Sequence, residues 1–305
     1  MGDSITTVLV AMLGGSLRVS TPFLFVSLGE CLTERSGRIN LGNEGVLVLG
    51  AMVAYATSYE TGSPWAGVVV AALAGLLLGG LHGAVCGLAR VNDVAMGIAI
   101  MLAGTGIAFF FGKPYVQPSA PLLPAIPLGG WSSSPQLQNA LSISPLFILG
   151  LLVAVGMTWM FRSTRVGLRV RIVGESEDAA RALGLPVERT RLLATACGSA
   201  LAGIGGAFLS LVYPGSWNEG LSSGQGLMAV ALVVFARWNP LYCILAALLF
   251  GAAGALGPSL QTVGITQGYY LFYAAPYVVT LAILAATVRP GRTLRGMPGE
   301  LSIGR

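Results

Sequence analysis

Arg162-Ser-Thr-Arg-Val-Gly-Leu-Arg-Val-Arg-Ile-Val-Gly-Glu-Ser-Glu-Asp-Ala-Ala-Arg-Ala-Leu-Gly-Leu-Pro-Val-Glu-Arg-Thr-Arg191 is the stretch on which the reading of this chain turns. It holds seven arginines and four acids, 11 of the 29 charges (17 basic, 12 acidic) in a 305-residue chain that is 54% hydrophobic. Long apolar runs lie on both sides. A charged island of this size must sit in water, and its excess of arginine says which water: cationic loops between spans stay on the cytoplasmic side.

The bulk composition agrees. Mean hydropathy is +0.78, and only 10% of residues are charged while 43 are glycine. A soluble domain of this length needs a charged surface that is missing here, so the class is a polytopic membrane protein. Helices must then satisfy nearly every backbone polar group, because lipid offers no partner. The net charge of +5 is dispersed in short loops and does not indicate nucleic acid. Cys31, Cys86, Cys197 and Cys243 show no paired spacing and read as buried inert thiols. The segment Met1–Thr7 has no positive region of a cleaved signal.

Apolar runs of spanning length fall near Val8–Cys31, Gly45–Tyr59, Trp65–Ala89, Val94–Phe111, Ile143–Phe161, Leu192–Tyr213, Gly226–Ala236, Leu241–Leu260 and Tyr270–Val288. The fold class expected is an all-α polytopic transmembrane helix bundle of about nine spans (eight to ten). The first run is interrupted by Arg18, Ser20 and Pro22, and the seventh is short, so both read as broken or re-entrant. With residues 162–191 in the cytoplasm, the nine-span scheme places 15 of the 17 cations inside and only Arg18 and Lys113 outside. The N-terminus is then external and the C-terminus cytoplasmic. Residues 1–290 form one membrane domain and 291–305 a cytoplasmic tail. The external loop 112–142 carries six prolines, which prevent regular helix; it is a cap over the outer mouth or a stiff linker.

Gly75, Gly79, Gly83 and Gly87 recur every four residues and form a flat ridge for close helix packing. Gly198, Ala202 and Gly206, and Gly251 with Ala255, repeat the pattern. His82, the single histidine, reads as a hydrogen-bonded packing residue. No phosphate-cradling GxxxxGK[ST] loop, HExxH or paired Cys/His set is present, so no nucleotide or metal site is expected in this chain.

Within the island, Ser176-Glu-Asp-Ala-Ala-Arg-Ala-Leu-Gly184 reads as a complete short helix. Ser176 caps its start, Glu177 and Asp178 suit its positive end and Arg181 its negative end, and Gly184 with Pro186 stops it. A helix this short is marginal alone in water. It docks on a partner or leans on its own protein.

The segment Arg169–Pro186 resembles the cytoplasmic coupling segment of ABC importer permeases, in the group serving branched-chain amino acid, ribose-type sugar and nucleoside uptake. Glu34-Arg-Ser-Gly-Arg-Ile-Asn-Leu-Gly-Asn-Glu-Gly45 is similar to a signature of the nucleoside and simple-sugar branch, and Gly224–Pro240 resembles that branch's helix ending in Trp-Asn-Pro. Nearly the whole chain is covered in order, closest to the shorter permease of nucleoside transporters. Two positions depart from the pattern: Asn43, where a hydrophobic or small residue is usual, and Ala236, where glycine is usual.

The resemblance implies a pore made with a second, commonly non-identical permease, and ABC ATPase subunits beneath it that bind ATP and Mg. It further implies an external binding protein or lipoprotein, and a place among membrane lipid in the bacterial plasma (inner) membrane. The chain itself is non-catalytic. Ser176, Glu177, Asp178, Ala179, Ala180, Arg181, Ala182 and Gly184 become the coupling helix to the ATPase. Asn40, Asn43 and Glu44, with Gly224, Gln225 and Gly226, open two Gly-punctuated segments of the kind that line transport pathways; the asparagines also suit plain capping chemistry. The solute expected is a nucleoside or related small polar molecule, with a simple sugar or branched-chain amino acid as the alternative. A self-sufficient secondary transporter or channel would instead need an ion site inside the membrane.

Overall fold

The helix Val187–Leu211 lies at the centre of the molecule, packed mainly against three other long helices. The computed structural model describes residues 2–88, 90–132, 134–261, 272, 274–287 and 296–303. In chain order these form α1 (Gly2–Arg35), α2 (Asn43–Thr61), α3 (Pro64–Cys86), α4 (Asp93–Gly112), α5 (Pro135–Ala140), α6 (Pro145–Ser163), α7 (Arg165–Glu175), α8 (Glu177–Ala182), α9 (Val187–Leu211), α10 (Gln225–Phe235), α11 (Pro240–Gln261), α12 (Ala275–Thr287) and α13 (Gly299–Ile303). The strands among the described residues are a two-residue ladder, Ile126–Pro127 against Ser142–Ile143. The molecule is a helical polytopic bundle. Among the described residues six helices are long and apolar enough to cross a membrane: α1, α3, α4, α6, α9 and α11. The expected run Tyr270–Val288 is described only at Phe272 and from Ala274 to Thr287.

Small residues let α9 approach α1, α2 and α3. A Cβ on Gly75 would overlap the Ser199 carbonyl, one on Gly79 would lie 2.7 Å from the Thr195 carbonyl, and one on Gly83 would lie 2.9 Å from the Leu192 Cα. These three ridge glycines face α9, while Gly87 sits just past the last turn of α3. Gly198 meets Gly29 of α1, and Gly206 meets Leu47 of α2. Gly251 of α11 seats against Ser16 of α1, with Ala255 beside Gly15.

The first run is not broken. α1 passes through Arg18, Ser20 and Pro22 as one helix of 34 residues. Proline at 22 removes the backbone donor that would meet the Arg18 carbonyl; one position earlier, the Ser20 and Thr21 hydroxyls both donate to the Leu17 carbonyl, at 3.1 and 2.9 Å. Arg18 leaves the bundle by donating to the Asn139 carbonyl at 2.6 Å. The seventh run is short as expected. The 11 residues of α10 extend about 16 Å, roughly half a hydrocarbon core of about 30 Å.

The two ends of the bundle are distinct. Arg38 holds Asp93 at 2.6 Å, which sets the start of α4 beside the loop after α1, at the end that carries α7 and α8. The proline-rich loop closes the opposite end. Tyr55 and Ser58 donate to the carbonyls of Pro118 and Pro121 at 2.9 and 2.6 Å, and Ala120 and Leu123 are buried. The loop is thus folded onto α2 and α9 rather than spread as a linker. Residues 296–303 are likewise packed, with Met297 and Leu301 against the main core. Cys31, Cys86 and Cys243 are buried, but Cys197 is exposed on α9, contrary to the expectation for all four.

The Gly79→Ala variant should lower the thermal unfolding midpoint of the detergent-solubilised protein, an overpacking cost of about 1–3 kcal/mol. Gly156→Ala, where no atom lies within 4 Å of the new Cβ, should leave the midpoint unchanged or raise it. Equal behaviour of the two would contradict the packing described.

Candidate functional site

The charged island folds into two helices and a turn. Thr164 ends α6 and caps α7, its hydroxyl accepting from the Gly167 N–H at 3.1 Å. α7 buries Gly167, Val170, Val173 and Gly174 and exposes Arg165, Val166, Leu168, Arg169 and Arg171. This helix is not among the elements expected from the sequence. Its signal is Gly167, Val170, Val173 and Gly174 at helical spacing between arginines.

α8 has the termini read from sequence. The Ser176 hydroxyl accepts from the Ala179 N–H at 3.2 Å, Gly184 takes φ +70°, and the Leu185 N–H closes the turn on the Ala180 carbonyl at 3.0 Å. Ala180 is fully buried with Val173 and Val187 in a small core of its own. Asp178, Ala179, Arg181, Ala182 and Gly184 face out. Leu183 is 65% exposed and completes that face, so the surface α8 presents runs from Asp178 to Gly184 without Ala180.

Arg191 is the hub that holds α8. It is 6% exposed and reaches three elements. Its Nη1 lies 2.6 Å from Glu177 at the start of α8, its Nη2 3.2 Å from Glu300 of α13, and its Nε donates to the Ser36 carbonyl at 3.2 Å. Glu300 also accepts the Glu177 backbone N–H at 2.7 Å, taking one of the free donors of the first turn. Arg181 adds an i,i+4 contact to Glu177 at 2.6 Å. Partial burial pushes the Glu177 carboxyl up, but the hydrogen bonds and charges of Arg191 and Arg181 outweigh it and hold the group below its ordinary range.

A second constellation begins on the far side of Ser36. The loop 36–42 turns back into the bundle. Glu30, fully buried, accepts the Asn40 N–H at 2.8 Å and the Asn43 side-chain amide at 2.7 Å. The Asn40 amide donates to Ser199 of α9 at 2.9 Å. The departure at Asn43 therefore has a structural use, as a partner for a buried carboxylate. Glu44, next in the chain, accepts from Ser222 at 2.6 Å and from the N–H groups of Gly224 and Gly226 at 3.1 and 2.7 Å. A Cβ on Gly226 would lie 2.6 Å from the Glu44 Cα. The two segments singled out in the sequence thus meet: α10 starts on the Glu44 carboxylate. The buried Oε1 of Gln225 has no hydrogen-bond partner among the described residues. At its other end α10 is followed by Trp238, whose indole donates to Glu34, while the Arg35 Nε donates to the Trp238 carbonyl at 2.9 Å. Glu30, Glu34 and Glu44 fall close together in the sequence at the ends of the first two spans, whereas nothing in the sequence joins Arg191 or Glu300 to this network.

His82 is buried as expected. Its Nε2 lies 3.3 Å from the Asp93 carbonyl and 3.6 Å from Cys86. Among the described residues no group of three potential ligands could hold a metal ion.

Similarity to known proteins extends over most of the chain. Residues 12–287 match the family model described as branched-chain amino acid transport system / permease component. The chain belongs to this permease family. It is 32% identical to a Haloferax volcanii protein provisionally named a glucose ABC transporter permease, over 95% of each chain. It is 28% identical to a nucleoside ABC transporter permease of Lactococcus lactis, over 92% of this chain and 93% of that one. A guanosine ABC transporter permease of Bacillus subtilis is also 28% identical, over 93% and 94%. The chain is the membrane-spanning permease subunit of an ABC importer, a multi-pass protein of the plasma membrane. Residues 162–191 and the network behind them lie inside the matched region, while Glu300 lies beyond it.

Because Glu177 titrates below the ordinary carboxylate range, its ion pairs contribute fully above the unfolded pKa and are lost as pH falls through the lower folded one. Hydrogen exchange at Glu177–Ala180, corrected for intrinsic rate, should show constant protection from pH 7 to about 5 and loss below about 4. Arg191→Met should remove that protection already at pH 7 and cost about 1–3 kcal/mol of stability, since it takes the buried guanidinium from Glu177 and Glu300. Protection that survives the substitution would contradict the hub.

Proposed function

We propose that this permease pairs with a second, non-identical permease to form a pathway for a nucleoside, crossing the membrane about nine times with its N-terminus outside and its C-terminus in the cytoplasm. The asymmetry of 15 inner to 2 outer cations supports that orientation. ATP and Mg are bound by partner ATPase subunits, and an external binding protein or lipoprotein delivers solute.

The observation that carries the mechanism is the unbroken series of bonds from α8 to α10. It runs through Glu177, Arg191 and the Ser36 carbonyl into the loop 36–42, then through Asn40, Asn43 and Glu30, and through Glu44 to the N–H groups of Gly224 and Gly226. ATP binding draws the partner's surface against Asp178, Ala179, Arg181, Ala182, Leu183 and Gly184. The island and α9 move as a body, because close backbone packing transmits displacement rather than absorbing it. α10, half a span long and held at its start by one carboxylate, shifts with them and changes access to the pathway. Glu44, Asn40 and Asn43 border that pathway as its support, while Gln225, with an unengaged acceptor, offers a group to the solute.

Two of the relatives carry nucleoside or guanosine in their names, which supports a nucleoside. A simple sugar is the second reading, since the 32% identical relative is named for glucose.

In proteoliposomes holding the full transporter, uptake is expected for nucleosides over sugars and branched-chain amino acids; preference for glucose would shift the reading to the second. Leu183→Asp should weaken ATPase association about tenfold or more, as expected for a charge buried at an interface centre, with the permease's own unfolding midpoint unchanged. Ala180→Asp should instead lower the midpoint, because its side chain faces inward. If Leu183→Asp binds the ATPase normally, the docking face is elsewhere.

A further inference from the structure

Three apolar helices reach the charged end at one level: α1 ends at Arg35, α6 ends at Ser163, and α11 begins at Pro240. Between them and α7 is a pocket of about 190 Å³ whose lining includes Arg35, Thr158, Phe161, Arg162, Arg171 and Asn239, and no acid. A second pocket of about 360 Å³ adjoins it, sharing Arg35 and Arg171 and bordered on its far side by Glu175.

The cations of the first pocket are unspent. Arg162 and Arg171 make no ion pair among the described residues. Arg35 uses only its Nε, on the Trp238 carbonyl, and its guanidinium lies 5.5 Å over the Phe161 ring. Asn239 accepts the Leu241 N–H with its Oδ1, and its amide donors are unengaged among the described residues. Three guanidinium groups around one small space suit a phosphate, which takes paired donors from arginine.

The walls say what else the ligand must carry. Thr158 and Phe161 belong to the last turns of an apolar helix. Trp159, one turn before Arg162, is 64% exposed, and Tyr242, two residues after Pro240, is 50% exposed. Exposed aromatic residues at helix ends mark the headgroup level. α8 packs on α7 and α9, so its docking face is not a wall of this pocket.

We propose that this pocket is a headgroup site for an anionic phospholipid of the inner leaflet, its phosphate held by Arg35, Arg162 and Arg171. A lipid bound there bridges α1, α6, α7 and α11. The site depends on the membrane boundary lying at these helix ends and not on the coupling role of α8.

The test is native mass spectrometry of the full chain in detergent, with dioleoylphosphatidylglycerol or dioleoylphosphatidylcholine added. Phosphatidylglycerol should be retained preferentially. R162Q/R171Q should weaken that retention about tenfold or more, as expected from two basic contacts near a surface. R165Q/R169Q, which removes equal charge from outside the pocket, should leave it within about twofold. All four positions are exposed, and unchanged unfolding midpoints would verify the fold of each variant. Equal retention of phosphatidylcholine, or equal loss in the two double variants, would overturn the site. Full displacement by millimolar glycerol 3-phosphate would show a soluble phosphate ligand and would overturn the lipid assignment.

Discussion

A helix that starts inside an apolar bundle leaves its first N–H groups with no water to take them. In this protein Glu44 takes two of them, and the Ser222 carbonyl takes the Gln225 N–H. The two Glu44 oxygens receive Gly224, Gly226 and the Ser222 hydroxyl, and the absence of a side chain on Gly226 lets α10 come down onto the backbone of α2. A buried carboxylate needs such donors as much as the donors need it. Remove the glycine and the helix cannot approach; remove the carboxylate and the helix start is unsatisfied. The rest of the network extends this mutual dependence outward. Glu30 does the same for the returning loop 36–42, and Arg191 ties that loop to the charged island.

The consequence is mechanical. The three most distinctive segments of the chain lie far apart in sequence and are joined in space by polar groups buried among small residues. Polar bonds in such a setting are directional, and the glycine contacts of α9 with α1, α2 and α3 leave little room for independent movement. A push delivered at α8 has a stiff route to α10. The tail helix α13 adds a second brace, since Glu300 both caps α8 and pairs with Arg191.

Much of this was legible in the sequence. The sign and position of the island, the caps of α8, the glycine ridge on α3 and the shortness of α10 all follow from local chemistry. The continuity of α1 was not legible, because the sequence announces Arg18 and Pro22 but not the close contacts with α11 and α9 that hold the helix on both sides of them. The inward face of Ala180 could not be read either: six residues are too few for a periodicity to declare itself, and the burial is decided by Val173 and Val187 on neighbouring helices. Glu30 and Arg191 look like ordinary ends of a span and a loop. Their role depends on partners 10 to 155 residues away along the chain, which spacing alone does not pick out.

The claim that α10 receives its movement through the Glu44 carboxylate is tested most directly by Glu44→Gln in the complete transporter reconstituted in proteoliposomes, measuring solute delivered per ATP hydrolysed. The substitution preserves shape, leaves α8 and the ATPase untouched, and replaces one acceptor oxygen with a donor. The account predicts near-normal ATP hydrolysis with the delivery ratio reduced about tenfold, the scale of one charged hydrogen bond of about 1.5–3 kcal/mol. A stably folded variant with an unchanged ratio would contradict it.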